Sequence, residues 1–236
     1  MTASRTAVVT GASRGIGLSV TKALAARGFR VVMVSRGGPG LDRAAGVVGA
    51  SAVPLRCDLR DATATRALTD RVLKEFGGPP DVLVNSAGVF TIAPLQTTEP
   101  GAFEQAIEAN LTAPFRLVRA FLPAMLERRS GHIVSIGSVA DHIGLPGNSG
   151  YAASKFGLRG LHEVLRAELE GTGVRSTLVS PGPVDTAMWD EVDPDRRPGF
   201  TPRARMLEPD SVAVAVMFAI DQPPDVNVGE IRIART

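Results

Sequence analysis

The sequence predicts an α/β fold, a doubly wound parallel sheet of about seven strands with helices on both faces. Three observations predict it. Short Val- and Ile-rich runs recur along the chain, segments with helical spacing separate them, and a Gly-rich turn follows the first run. Runs of four to six residues rich in Val or Ile fit strands buried on both faces. Strand–helix alternation then implies parallel pairing through right-handed crossovers.

The runs are Ala7–Thr10, Arg30–Ser35, Ala52–Arg56, Val82–Asn85, His132–Ile136, Arg175–Ser180 and Glu230–Ile233. Between them, Phe103, Ile107, Leu111, Val118 and Leu122 keep helical spacing, as do Leu158, Leu161, Leu165 and Leu169. Another helix is expected from the Gly-rich turn to about Arg27. Gly37-Gly38-Pro39-Gly40 is a tight turn after the second run. Asp185 to Pro209 breaks the rhythm, with Pro194, Pro198, Pro202 and the sole Trp, Trp189. Such a segment is either a functional lid or a solvated excursion. The length of 236 residues suits one domain, 1–236, with a substrate loop around 185–209.

Composition narrows the function classes. Hydrophobic residues make up 44% and charged residues 21%, which argues against wholesale disorder. Apolar stretches fall well short of the ~18 residues of a membrane span, and the N-terminal stretch has no signal-peptide core. A net charge of +2 gives no nucleic-acid footprint. One cysteine, Cys57, excludes a disulfide framework and reads as a small buried residue. The expectation is a cytoplasmic protein with no membrane and no nucleic-acid partner.

Thr10-Gly11-Ala12-Ser13-Arg14-Gly15-Ile16-Gly17 joins the first strand to its helix. The spacing is G-x-x-x-G-x-G, since Val20 stands where G-x-G-x-x-G needs a small residue. The physical demands are shared: a tight turn, close backbone approach to a pyrophosphate, and free N–H groups at a helix start. Gly11, Ser13, Arg14, Gly15, Ile16 and Gly17 are therefore candidate nucleotide contacts. An NAD site places an acid at the end of the second strand, yet this strand ends Val34-Ser35-Arg36. Ser35 and Arg36 suit a 2′-phosphate, with Arg14 as a second charge. A guanidinium–phosphate pair at 4 Å is worth up to ~4 kcal/mol before desolvation. NADP is expected over NAD.

The only Tyr, Tyr151, precedes Lys155 by four residues at a predicted helix start. With three lysines in the chain, chance gives that spacing about one time in eighty. Positions i and i+4 share a helix face, which brings the ammonium near the phenol. At about 4 Å the cation lowers the phenol by close to three pKa units, and the helix dipole adds to that. Ser138 follows the fifth strand, at the C-terminal strand ends where such folds bind ligands, and suits stabilisation of a substrate oxygen.

With these motifs in order, the chain resembles the short-chain dehydrogenase/reductase family over essentially its full length. The matching residues are Thr10-Gly11-x-x-x-Gly15-x-Gly17, Asn85-Ser86-Ala87-Gly88, Asn110, Ser138, Tyr151-x-x-x-Lys155 and Pro181-Gly182-Pro183-Val184-Asp185-Thr186. The resemblance implies a Rossmann-type fold in which Tyr151 exchanges a proton with the substrate oxygen as hydride moves to or from nicotinamide. It implies that Lys155 also holds the nicotinamide ribose and that Asn110 anchors a water in the relay. Asp58, with Leu59 beside it, is implied at the adenine; Asn85, Ala87 and Gly88 at the adenine-side ribose; and Pro181, Gly182, Val184 and Thr186 at the carboxamide. Two departures are visible: Ser86 replaces the commoner second Asn, and Gly137 replaces a frequent Ser.

The resulting expectation is an NADP-dependent oxidoreductase, using NADPH in preference to NADH, that interconverts a carbonyl and a secondary alcohol. Its partners are a small carbonyl or alcohol substrate and further copies of itself, as homodimer or homotetramer, through helices near 101–127 and 151–170. His142, Leu145, Met188 and Trp189 are substrate-pocket candidates by loop position, while the three His read as surface or structural. The C-terminal strand lacks the Gly-Gly tail of many ketoacyl reductases, which weighs against an acyl-carrier substrate. Two other functions stay open: a nucleotide-sensing or scaffold protein without turnover, and a nucleotide-sugar epimerase or dehydratase. The short chain weighs against the last.

Overall fold

Seven parallel strands form one sheet in the order β3-β2-β1-β4-β5-β6-β7. They are β1 (Thr6–Thr10), β2 (Arg30–Ser35), β3 (Ala52–Arg56), β4 (Val82–Asn85), β5 (Gly131–Ile136), β6 (Val174–Pro181) and β7 (Glu230–Ile233). Every predicted run is a strand, with bounds extended by one residue at β1 and β5 and by one at each end of β6. The structure is a computed structural model and describes residues 5–236. Residues 1–4, which open the expected domain and the stretch read as lacking a signal core, lie outside the described residues.

The apolar runs are continuous because alternate side chains enter two cores. Ala7 and Val9 of β1 join one cluster and Val8 the other; Val31 and Met33 of β2 separate likewise from Val32 and Val34. The first core packs α1 (Gly15–Ala26), α2 (Pro39–Val48) and α7 (Pro209–Ile220). The second packs α3 (Ala62–Phe76), α5 (Ala113–Arg128) and α6 (Ser149–Glu168). Both faces are thus covered, as a parallel sheet requires. Among the described residues no helix is long and apolar enough to cross a membrane.

The helical spacing from Phe103 to Leu122 does not give one uninterrupted α-helix. The chain forms α4 (Pro100–Ile107), a π-helical turn (Glu108–Thr112), and then α5. Asn110 lies in that turn and is buried. Its Oδ1 accepts from Val89 N–H (2.8 Å), and its Nδ2 donates to Val89 O (3.0 Å) and to Ser154 Oγ (2.9 Å). The wider turn fastens the loop after β4 to α6.

Residues 185–209 carry two short 3-10 turns, Ala187–Trp189 and Arg203–Arg205. Arg203 forks between Asp185 (2.7 Å) and Asp190 (2.6 Å) and also donates to Thr186 O. A parallel bridge joins Val184 to Leu207. The segment folds back along the C-terminal ends of β5 and β6, where the site lies.

Candidate active site

Strand order reverses between β1 and β4, and a cleft of about 1360 Å³ opens along the C-terminal strand ends at that point. Its floor is the glycine loop. Gly11 (φ +66°) lies so close to the β4 loop that a Cβ would sit 2.9 Å from Ala87 Cα. A Cβ on Gly17 would land on the Gly11 carbonyl, so backbone packs directly on backbone. Thr10 Oγ1 accepts from both Ser86 and Ala87 N–H (3.0 Å each), pinning the β4 loop beside the glycine loop. That contact explains the threonine before Gly11.

One half of the cleft is cationic. Ser13, Arg14, Ile16, Ser35 and Arg36 line it, with Arg43 of α2 and Arg60 after β3. Neither Arg43 nor Arg60 was expected; Arg43 lies on α2, the helix that opens three residues after Arg36, and that closeness in sequence could have found it. Ser35 Oγ accepts from Gly37 N–H (3.3 Å), which shapes the turn. Arg60 grips the Asp58 carboxylate with Nε (3.0 Å) and Nη2 (2.6 Å), and holds it down to about 2. Asp58 and Leu59 line the cleft, as do Ala87 and Gly88. Asn85 does not: it is buried beneath, and neither amide atom has a hydrogen-bond partner among the described residues. A backbone cradle that any Cβ would fill, beside arginines and with no acid ending β2, fits a dinucleotide carrying an extra phosphate.

The other half gathers the remaining motif residues. Ser138, Tyr151 and Lys155 line it together with Pro181, Gly182, Val184 and Thr186. Asn110 stands behind the wall and does not line the cleft. Ser138 ends the β5 loop by capping the 3-10 turn Val139–Asp141, its Oγ accepting from Ala140 N–H (3.1 Å). Tyr151 sits in the first turn of α6. Lys155 is buried, and its Nζ donates to Ile136 O (2.7 Å) while lying 5.5 Å from the Tyr151 ring centroid.

The electrostatics correct the expected lowering of the phenol. Burial pushes Tyr151 up to about 12; Ser138 opposes the rise through its hydrogen bond, and the negative charge of Asp141 adds to it. Burial likewise brings Lys155 down to about 8, with Asp141 opposing. A desolvated ammonium that is already engaged by a carbonyl does not supply the full attraction that two residues four apart suggest.

Asp141 was not anticipated. Fully buried, its Oδ2 accepts from Ser180 Oγ (2.6 Å) and Ser138 N–H (3.0 Å). It also accounts for Gly137: a Cβ there would sit 2.6 Å from Ser180 Oγ and closer still to the Asp141 carboxylate. His142, a pocket candidate, turns away from the cleft. Its Nε2 meets Glu230 Oε1 (2.8 Å) and Asp141 Oδ1 (3.1 Å), and Arg159 contacts the ring. His132 and His162 are structural, bonded to Thr177 Oγ1 (2.8 Å) and Gly229 O (2.9 Å). Leu145, Met188 and Trp189 do line the cleft, with Phe90 and Phe200 as additions. Cys57 is buried, and burial raises its thiol.

The short chain dehydrogenase family model matches residues 5–197. The chain belongs to the short-chain dehydrogenase family. It is accordingly an oxidoreductase of the CH–OH/C=O class. Among its relatives, the 3-oxoacyl-[acyl-carrier-protein] reductase FabG of Escherichia coli is 34% identical, over 95% of this chain and 93% of that one. D-threitol dehydrogenase of Mycolicibacterium smegmatis is 35% identical, over 97% and 91%. The crystal structure of a metagenomic short-chain oxidoreductase in complex with NADP superposes with a TM-score of 0.85 at 35% identity, covering 98% and 97%.

Proposed function

We propose that this short-chain dehydrogenase interconverts a carbonyl and a secondary alcohol with NADP, and that Tyr151 is its general acid and base. The observation that carries the reading is the meeting of Ser138, Tyr151 and Lys155 in the same cleft as the glycine loop and its arginines. A bound nicotinamide dinucleotide supplies or accepts the hydride. In reduction, the Tyr151 phenol, held protonated by burial, gives its proton to the substrate oxygen. Ser138 donates to that same oxygen as negative charge develops on it. Lys155, anchored on Ile136 O, holds positive charge beneath the phenol, and burial weakens its hold on its own proton, which eases proton release toward the phenol. Asn110 keeps the β4 loop and α6 in register, since Ser154, its partner, also donates to Tyr151 O (2.6 Å).

Arg14, Arg36 and Arg43 support a preference for NADPH over NADH. Arg36→Ser lowers the ratio of kcat/KM for NADPH to that for NADH by about 10- to 100-fold, part of the ~4 kcal/mol ceiling being offset by desolvation. Tyr151→Phe abolishes ketone reduction and leaves NADPH affinity near wild type. Tight NADPH binding without turnover on any ketone or aldehyde overturns the enzymatic reading and favours a nucleotide sensor. Exposed Phe115 of α5 and Phe156 of α6 support self-association through those helices, tested by sedimentation.

A further inference from the structure

We infer that the substrate half of the cleft takes an uncharged ketone or secondary alcohol bearing an aromatic ring, an inference that rests on the carbonyl–alcohol reading above. Nine Phe, one Trp and one Tyr make up the aromatic complement, and four of these rings converge here. Phe90 stands edge-on to Tyr151, with centroids 4.9 Å apart at 80°, and also to Trp189, at 4.9 Å and 65°. Trp189 in turn meets Phe200 at 6.4 Å and 75°. A continuous aromatic wall thus begins at the phenol assigned to the proton transfer.

The wall is held in place. Trp189 Nε1–H donates to Val184 O (3.1 Å), so its one polar group is engaged and only ring carbon faces the cleft. The turn that carries Trp189 is capped by Thr186 and clamped by Arg203 across Asp185 and Asp190. Leu145 and Met188 border the same space, 45% and 37% exposed, which leaves apolar surface for a ligand to cover. Edge-to-face partners strengthen aromatic contacts by roughly twofold to tenfold per ring.

Charge argues in the same direction. All four arginines that line the cleft, Arg14, Arg36, Arg43 and Arg60, belong to the glycine loop, the ends of β2 and β3, or α2. On the substrate half the lining cation is Lys155, already donating to Ile136 O, while Asp190 and Glu191 line that end. A carboxylate or phosphate beside the reacting carbon would lose water and gain no counter-ion.

The step balances without another reactant. The carbonyl carbon gains a hydride, two electrons and a proton, from the reduced nicotinamide; the oxygen gains the Tyr151 proton; no group leaves. Oxidation of the alcohol runs the same transfers in reverse.

The test compares three matched probes on the full chain: acetophenone, cyclohexyl methyl ketone, and phenylglyoxylate, in which a carboxylate replaces the methyl group. Turnover is followed by NADPH absorbance. Binding is followed separately, with NADP+ present, by emission of the sole Trp. Acetophenone is expected to show at least tenfold higher kcat/KM than phenylglyoxylate, although the keto acid is intrinsically the more electrophilic, and at least threefold higher than the cyclohexyl ketone. It is also expected to quench Trp189 at the lowest concentration. Trp189→Leu lowers kcat/KM for acetophenone about tenfold with the Kd for NADPH unchanged. Equal or better use of phenylglyoxylate or the cyclohexyl ketone overturns the substrate class and leaves the oxidoreductase reading intact. Absence of turnover on all three, with NADPH bound, overturns the substrate class, and the same absence across a panel of aliphatic ketones and aldehydes overturns the enzymatic reading as well.

Discussion

Replacing Asp141 separates its structural work from its electrostatic work. Its Oδ2 is the acceptor for two buried donors, the Ser180 hydroxyl at 2.6 Å and the Ser138 N–H at 3.0 Å. Asp141→Ala leaves both without a partner, at about 1–3 kcal/mol each, so a loss of about 2–6 kcal/mol is expected. For a domain of this size each kcal/mol moves Tm by about 2–4 °C. Asp141→Asn can turn its carbonyl oxygen to the same two donors, and is expected to lose only about 1 kcal/mol. The Asn variant still removes the negative charge, which raises both Tyr151 and Lys155. Without it the phenol ionises at lower pH. Ketone reduction requires the protonated phenol, so the alkaline fall of kcat/KM moves to lower pH in Asp141→Asn; alcohol oxidation requires the phenolate and rises earlier. Thermal melts and pH profiles of both variants measure this. An Asp141→Ala protein within about 1 kcal/mol of wild type refutes the structural part, and an Asn variant with an unmoved alkaline limb refutes the electrostatic part.

How much of this was legible in the sequence varied with the range of the forces involved. The strands were legible because burial on both faces makes the central positions of β1 (7–9) and β2 (31–34) apolar without a break, and short continuous apolar runs between turn residues suit little else. The glycine loop was legible for a related reason: Gly11 and Gly17 are fixed by backbone contact, so residue type reports geometry directly. The π-helical turn was not, since apolar spacing near 3.6 tolerates one widened turn and its cause, Asn110 bonding to Val89 and Ser154, is tertiary. Tyr151 and Lys155 share a helix face as the i, i+4 spacing requires. That spacing carries no information on desolvation or on Asp141, and both act against the expected lowering. An acid in a loop reads as solvated; the one clue to Asp141 was Gly137, whose missing side chain makes room for a carboxylate. His142 failed as a pocket residue because Glu230, the first residue of β7 and far away in sequence, draws it aside.

The remaining predictions test separate parts of this arrangement. Gly17→Ala places a methyl group against the Gly11 carbonyl, where neither backbone can yield cheaply; a loss of about 1–3 kcal/mol in denaturant titrations and weakened NADPH binding are expected, and an unchanged protein would refute the close approach. Arg203→Ala removes solvent-exposed ion pairs of small energetic value, so Tm barely moves. Trypsin should nevertheless cut faster after Arg196 once the clamp is gone, and an unchanged rate counts against the clamp. Lys155→Met probes the buried ammonium in protein without added nucleotide. Burial brings Lys155 from its ordinary value of 10.5 to about 8, so the folded chain holds this proton less tightly than the unfolded one. Stability therefore falls as pH drops from about 10.5 to about 8 and is flat below, a penalty near 3 kcal/mol at neutral pH. Methionine removes that penalty but leaves Ile136 O without its donor, at about 1 kcal/mol. The variant is expected to be inactive, yet more stable than wild type by about 1–2 kcal/mol near pH 7, with the gain gone above about pH 10.5. Equal or lower stability near pH 7 would mean that the ammonium stabilises the folded chain, and that its position beneath Tyr151 imposes no strain on the fold.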